Sequence, residues 1–430
     1  MSGESRSSIF YGWVIVAVAL LALVVSNGLS IGGIPVFYRS IREDFVASGA
    51  VAPERAESFI AFGATLTFLF SGLISPLAGW LIQKFPLKNL MLVGCAILGS
   101  GLVLHSQTTS PVLVYASRIM MGVSLGFVGV LPSVVLVSSW FVRRRGTALG
   151  ILLTGTSVGG VLIPPLATPL IERFGWRSAM LVVSLIIWVI LAPAILLFVK
   201  NRPSDIGLVP DGDPPRATTA EAGVGATEGL TFSQAIRTPV FWIFAIGAAL
   251  IFYPIFVTSQ QLILQTSRIG LTPQQSSYVL SGLFLVSVGG KFFFGYLSDR
   301  YRPLRVMLVC TTVMFLSTLI LLKLTPVTAF IFLLPFGLGY GGAFVLIQRL
   351  TADFFGPRDY PKILGAITIG DTLGASVGGL ITGYLADAAG GDYTTAFVGV
   401  IIATGLALSL VVVLNLMKGY QSGNISAGAA

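Results

Sequence analysis

Twelve apolar runs, each near the ~20 residues that a helix needs to cross the hydrocarbon of a bilayer, divide this chain from end to end. They fall at 12–37, 58–83, 89–106, 111–140, 147–171, 177–199, 240–265, 275–298, 304–323, 326–354, 363–387 and 393–416. Backbone polar groups in lipid must be satisfied internally, which leaves helices or closed barrels. The runs are continuous rather than alternating, so a porin-type barrel is excluded. Composition agrees. Only 10% of the 430 residues are charged, against about 25% in soluble proteins, too few to coat soluble domains. The net charge of +9 comes from short basic clusters between apolar runs, as in the loops of membrane proteins, and not from a surface that binds nucleic acid. With 2 Cys and 1 His, neither a disulfide framework nor a Cys/His metal centre is expected, and no cofactor is implied.

The first run follows a short polar start containing Arg6 and lacks a small-residue cleavage site, so an uncleaved first helix is expected. Placing both termini in the cytoplasm puts seventeen Lys and Arg inside and seven outside, the asymmetry that sets topology. The break at 200–239 carries Pro203, Pro210, Pro214 and Pro215 with charges of both signs and reads as a linker. Three parts follow: an N-terminal bundle at 1–199, a cytoplasmic linker at 200–239, and a C-terminal bundle with a short tail at 240–430. A short surface helix is expected at 231–237.

The two halves repeat. Gly79 and Gly295 are 216 residues apart. Gly122 and Gly126 match Gly337 and Gly341 at 215, as do Gly150, Gly155 and Gly159 with Gly365, Gly370 and Gly374, and Cys95 with Cys310. Two similar bundles rocking about a midplane site are the architecture of alternating-access carriers. Glycines at four-residue spacing equally serve close helix packing.

Six plus six spans, a central linker and Gly295-x-x-x-Asp299-Arg300 resemble the major facilitator superfamily over essentially the whole chain. The implied fold is twelve transmembrane helices in two pseudo-symmetric six-helix bundles, with Gly295, Asp299 and Arg300 in a gating loop. The copy after the second span has Gln83 in place of the acid. Arg118 with Gly122 resembles the family's fourth-helix motif. Gly146, Gly155 and Gly159 partly resemble the antiporter motif, with Gly160 where proline is expected. Tyr11-Gly12-Trp13, Trp140-Phe141 with Arg143–Gly146, and Asn201-Arg202-Pro203 resemble the branch of oxalate/formate antiporters and monocarboxylate transporters. In that branch a cation in the eighth span binds the substrate carboxylate, and Lys291 stands there. Ser287 replaces an acid found in monocarboxylate carriers. Asp371 replaces a second cation of the oxalate carrier, which points to a monoanion rather than a dianion.

Arg118, Lys291 and Asp371 lie within spans, where ionisable groups are costly and functional by default. Lys291 and Asp371 both fall about 12–14 Å above the inner boundary at ~1.5 Å per residue. Two readings stand: a structural ion pair, or a binding site in which Asp371 competes for Lys291 and couples transport to a proton. Thr156 holds the first-half position of Asp371. Arg118 either binds substrate or pairs with backbone carbonyls. Asn27, Tyr253, Tyr340 and Gln348 are candidates to shape the site, with helix packing as the alternative role. His105 reads as an interfacial side chain. Cys95 and Cys310 read as packing residues, and Pro164, Pro165, Pro254 and Pro335 as kinks.

The expected function is secondary transport of small organic anions, monocarboxylates above all, by proton symport or anion exchange. The expected partners are the anion, a proton or counter-anion and the lipid bilayer. The expected setting is a monomer in a prokaryotic inner membrane. Proton-coupled drug or metabolite efflux is the competing carrier function. An enzyme lacks a nucleophile–base or metal set. A channel lacks a pore loop or charge ring. No Walker sequence supplies ATP.

Overall fold

The computed structural model describes residues 10–141, 144–212, 229–356, 358–390 and 392–427. Arg6, Arg143, Pro214, Pro215 and Arg216 lie outside the described residues, as do the side chains of Gln83, Arg145 and Lys418. Every regular element among the described residues is helical. In chain order these are α1 (Gly12–Asn27), α2 (Tyr38–Ala47), α3 (Ala56–Lys84), α4 (Leu87–Ser106), α5 (Pro111–Val128), α6 (Val130–Trp140), α7 (Arg145–Leu185) and α8 (Ala192–Phe198). The second half follows with α9 (Phe232–Ala235), α10 (Pro239–Arg268), α11 (Pro273–Arg300), α12 (Pro303–Thr318), α13 (Pro326–Phe355), α14 (Tyr360–Ala388) and α15 (Thr394–Ala427).

Eleven stretches are long and apolar enough to cross a membrane, and one of them, Thr147–Phe198, has 52 residues. At ~1.5 Å per residue it would reach about 78 Å, more than twice the hydrocarbon thickness. It breaks at Gly175, where φ is 77° and ψ 160°, a conformation open to glycine because it has no Cβ. The stretch is therefore two spans and the total is twelve. Both ends of each half lie at one face of the bundle, called here the linker end; the opposite face is the far end.

The structure departs from the sequence reading at three spans. The first stays helical past Phe37 to Ala47, through a π turn at Gly28–Gly32 and a 3-10 turn at Ile34–Phe37. The fourth is divided at Gly129 between α5 and α6. The last extends beyond 416 to Ala427. Four helices open on a hydroxyl-bearing residue followed by proline: Ser110-Pro111, Thr238-Pro239, Thr272-Pro273 and Thr325-Pro326. In each the hydroxyl accepts the third backbone N–H, and the proline occupies a position whose N–H would otherwise be orphaned.

The repeated glycines make the seams. Gly155 and Gly159 on α7 press against α1: a Cβ on Gly155 would lie 2.9 Å from the Leu20 carbonyl oxygen, and one on Gly159 2.7 Å from Gly28 Cα. Their second-half equivalents on α14 face α10: a Cβ on Gly374 would lie 2.9 Å from the Ala249 carbonyl carbon, while Gly370 meets Ala245 more loosely at 3.7 Å. Gly122 and Gly126 seat α5 on α3, as Gly337 and Gly341 seat α13 on α11. Lipid supplies no hydrophobic drive between helices, so such backbone approaches supply the contact area instead. Gly150 and Gly365 are equivalent too, but nothing lies within 4 Å of either would-be Cβ.

At the linker end of the first half three sequence motifs converge. The Tyr11 hydroxyl donates to the Phe198 carbonyl at 2.9 Å, and Trp140 Nε1 donates to the Lys200 carbonyl at 3.2 Å. Asn201 Oδ1 accepts the Lys88 N–H at 2.9 Å, and the Phe141 ring lies 4.9 Å from that of Trp13. In the linker, α9 begins with a Thr231–Gln234 capping box. The Phe232 N–H donates to Asp359 Oδ2 at 2.8 Å. That bond holds the Asp359 carboxyl below the usual carboxylate range. The tie is complete above ~3.9, the ordinary value, and is lost as pH falls through the lower folded value.

Gly341 and Gly365 should respond oppositely to an added methyl group. A Cβ on Gly341 would collide with the Ser287 carbonyl and lie 2.8 Å from the Lys291 nitrogen, so Gly341→Ala should lower the thermal midpoint in detergent by several degrees. Gly365→Ala meets open space and should leave the midpoint unchanged or raise it, since alanine in a helix gains roughly 0.5–1 kcal/mol over glycine.

Candidate functional site

Lys291 sits on α11, nine residues before Arg300, hence about 14 Å along the helix from the linker end. The lipid-facing residues of α11 are Leu285, Phe292, Phe293 and Tyr296, and Lys291 points away from them. Its side chain is 7% exposed and crosses into the first half. Lys291 Nζ donates to Thr156 Oγ1 at 2.7 Å, Ser157 Oγ at 2.9 Å and the Leu153 carbonyl at 3.3 Å. Ser287, one turn earlier, donates to Ser157 Oγ at 3.0 Å. All these acceptors are neutral, so no carboxylate compensates the amine. The Phe344 ring lies 5.0 Å from the amine, a cation–π distance.

Asp371 does not hold Lys291. Among the described residues the two form no ion pair, because the amine is spent on α7. The structural pair between them is therefore not made. Asp371 is 6% exposed and its Oδ1 has no hydrogen-bond partner. On α14, Ile369, Leu373 and Val377 face outward; at ~100° per residue Asp371 lies on the opposite, inward side.

The other expected site residues are dispersed. Tyr340 meets Phe284 edge-on at 5.9 Å, and Phe284 packs on Gly160 and Gly32 of the first half. It thus stands on the same wall as Lys291, since Phe284, Ser287 and Lys291 share one face of α11. Asn27 lies where α1 passes into the π turn, and its Nδ2 has no partner. Tyr253 faces away, packed on Gly378, with its hydroxyl 3.4 Å from Thr382 Oγ1 and toward Gly399. That is the seam of α10 with α14 and α15. The Gln348 carbonyl accepts from Tyr360 at 3.2 Å, near the linker end.

Arg118 lies about 10 Å from the far end of α5 and is 2% exposed. It donates to the Tyr38 hydroxyl and its guanidinium lies 5.2 Å from that ring. Tyr38 in turn donates to Gln260 Oε1 at 2.6 Å, across the two halves. Arg118 therefore stands apart from Lys291 in depth and belongs to a far-end relay that the sequence reading missed. His105 is buried rather than interfacial: Nδ1 lies 2.7 Å from Ser117 Oγ. Cys95 and Cys310 are free and buried. In the loop motif Asp299 pairs with Arg349 of α13, and Arg300 lies over Tyr296 at 4.7 Å.

A second missed group closes the far end. Glu57, 3% exposed, accepts from Arg42 at 2.6 Å and Arg268 at 2.7 Å on Oε1, and from the Tyr393 hydroxyl at 2.7 Å on Oε2. Asp387 of α14 accepts the backbone N–H groups of Glu57 at 2.9 Å and Ser58 at 2.8 Å, so the second half caps a helix of the first. Thr168 and Ser277 join the halves nearby. The cross-half hydrogen bonds run from this cluster down to the Leu153 carbonyl.

Twelve helices in two repeated halves, meeting at buried ionisable groups, define a multi-pass membrane carrier. The sequence matches the Major Facilitator Superfamily over residues 18–268 and 251–427, and the chain belongs to that family, whose members are transporters and not enzymes. It is 29% identical over 365 residues to the MFS transporter asaE of Aspergillus flavus, covering 82% of this chain and 77% of the relative. It is 24% identical to monocarboxylate transporter 12-B of Danio rerio (96% and 90% covered) and 26% to human monocarboxylate transporter 11 (92% and 81%). Its fold matches the crystal structure of a bacterial homologue of the human lysosomal transporter Spinster in an inward-facing, occupied conformation. The TM-score there is 0.68 at 15% identity, over 95% of this chain and 97% of that one.

Glu57→Ala should loosen the far end. Glu57 is buried but Arg42 and Arg268 are 21% and 35% exposed, so water takes over part of the lost pairing and the cost to the closed arrangement falls below the roughly 3–5 kcal/mol of a fully buried pair. A cysteine placed at Ala61, which packs beneath Gly383, reports it, with Cys95 and Cys310 replaced. A water-soluble maleimide should label this site at least about tenfold faster in the Glu57→Ala background; equal rates would show that Glu57 does not hold the far end shut.

Proposed function

We propose that this protein carries small organic anions, monocarboxylates above all, by alternating access, with the carboxylate bound at Lys291. The observation that carries this reading is a buried amine whose partners, Thr156, Ser157 and Leu153, are all neutral and all belong to the other half. An anion arriving there meets an amine that no carboxylate already neutralises, in a medium of low dielectric where attraction to its protonated form is strong. Because the amine spans the two halves, exchanging its α7 acceptors for a carboxylate links binding to their separation. The printed names of the Danio rerio and human relatives support the substrate class. Tyr340 and Phe284 supply the apolar wall and Asn27 a free amide donor, a mixture typical of small-molecule sites.

In this reading 1–199 and 240–430 rock as two bundles joined by 200–239. Asp299 and Arg300, after Gly295, tie α11 at the linker end while Glu57 ties the far end. Both termini face the cytoplasm, on the excess of Lys and Arg at the linker end, and the monomer works in a prokaryotic inner membrane. Energy comes from proton symport or anion exchange. With Lys291 held by α7, a proton on Asp371 does not serve to release the lysine.

Uptake of labelled lactate and formate by purified protein in liposomes, with and without an inward proton gradient, tests the reading. Lys291→Ala should reduce uptake at least about tenfold, and Lys291→Arg should retain a measurable fraction because the charge survives. Absence of carboxylate uptake under both conditions would overturn the proposal.

A further inference from the structure

Asp371 is left without a role by the carboxylate site as described. It is an inward-facing acid within α14, with Oδ1 buried and unpartnered. We propose that it receives the positively charged nitrogen of a zwitterionic substrate whose carboxylate sits on Lys291, so that the preferred cargo is an amino or quaternary-ammonium carboxylic acid rather than a plain monocarboxylate. This rests on the carboxylate reading of Lys291 and narrows it.

The arrangement of charge carries the argument. Lys291 and Asp371 lie on α11 and α14 of the same half, nine residues from Arg300 and eleven from Tyr360, hence about 14 and 17 Å along their helices from the linker end. Each turns away from its helix's exposed apolar stripe. They are an acid and a base at similar depth, yet they are not paired, since the amine is committed to α7 and the carboxyl oxygen Oδ1 has no partner. A buried base and a separate buried acid match a ligand that carries both signs on separate atoms, because each end of the ligand supplies the counter-charge that favours the ionised form of the group it meets. Such a ligand leaves the loaded site neutral, which lipid favours.

The repeat sharpens the point. Offset by 215 and 216, the first-half equivalents of Asp371 and Lys291 are Thr156 and Ser75. Both are hydroxyls, so the two charges are a feature of one half alone. The helices bearing them both pack on the first half, α11 along α7 and α14 along α3, where Thr372 packs on Gly72. Aromatic rings beside Lys291, Phe344 and the Tyr340–Phe284 pair, add faces on which a cationic nitrogen can also rest.

The experiment pairs acids that differ only in an amino group. Thermal stabilisation of the purified full chain by alanine and β-alanine is compared with that by propionate, 4-aminobutyrate with butyrate, and 6-aminohexanoate with hexanoate; ligands that bind the folded state raise its midpoint with concentration. At least one amino acid should give half-maximal stabilisation at a concentration at least about tenfold below that of its parent acid. Asp371→Asn, close to isosteric, should abolish that preference while leaving the parent acid's effect in place, and Lys291→Ala should abolish both. If the parent acids bind wild-type protein as well as the amino acids do, or if Asp371→Asn keeps the preference, the zwitterion proposal falls and the carboxylate site stands. If neither series stabilises the protein at any concentration, both fall.

Discussion

In hydrocarbon a helix gains nothing by burying another leucine, and the whole architecture of this chain follows from that. What holds its helices is close approach of backbones, which needs residues with almost no side chain. Gly155, Gly159 and Gly374 place α7 on α1 and α14 on α10; Gly122, Gly126, Gly337 and Gly341 place α5 on α3 and α13 on α11. Because the seams recur at an offset of 215, the two halves are built on one pattern. The contacts between the halves, by contrast, include a series of directional bonds: Glu57 with Arg268 and Tyr393, Tyr38 with Gln260, Thr168 with Ser277, and Lys291 with α7. A hydrogen bond can be broken and remade elsewhere in one step, whereas an interlocked seam cannot.

The parts of this design that were legible in the sequence are those written in local or periodic form. Span positions follow from hydropathy, and the repeat follows from glycine spacing. The depth of Lys291 follows from counting residues along one helix. Depth says nothing about partners, however, and of the two readings left open for Lys291 and Asp371 the ion pair is not formed, because the amine bonds to α7. The partners of Lys291 lie 134 to 138 residues away in the other half. Thr156 was visible as the counterpart of Asp371 and not as a hydrogen-bond acceptor. Tyr253 was read as a site residue because it lies in mid-span, and its side chain turned out to face the neighbouring seam at Gly378.

The far-end residues escaped for a different reason. Glu57, Arg42 and Asp387 sit at span edges, where charged residues are ordinary, and a sequence cannot distinguish a solvated edge from a buried one. Their importance appears when helices from both halves bring one carboxylate to two guanidinium groups and a phenol. The motifs at the other end behaved differently. Tyr11, Trp140, Phe141 and Asn201 are scattered over nearly 200 residues, yet they fold into a single cluster. Resemblance had grouped these residues, and the structure shows that they are neighbours.

One contact has an electrostatic consequence. Asp387 covers the first amides of α3, and Glu57 covers two arginines. With the far end shut, positive groups there are matched by carboxylates. Once the halves part at that end, Asp387 leaves with α14 and the N-terminus of α3 is bared, with its share of the helix dipole. Arg268 leaves with α10, so each half keeps one carboxylate and one arginine of the cluster: Glu57 with Arg42, and Asp387 with Arg268. Parting at that end therefore separates no net charge; it bares the first amides of α3 and one side of the Glu57 carboxylate, where water can take over the bonds they lose.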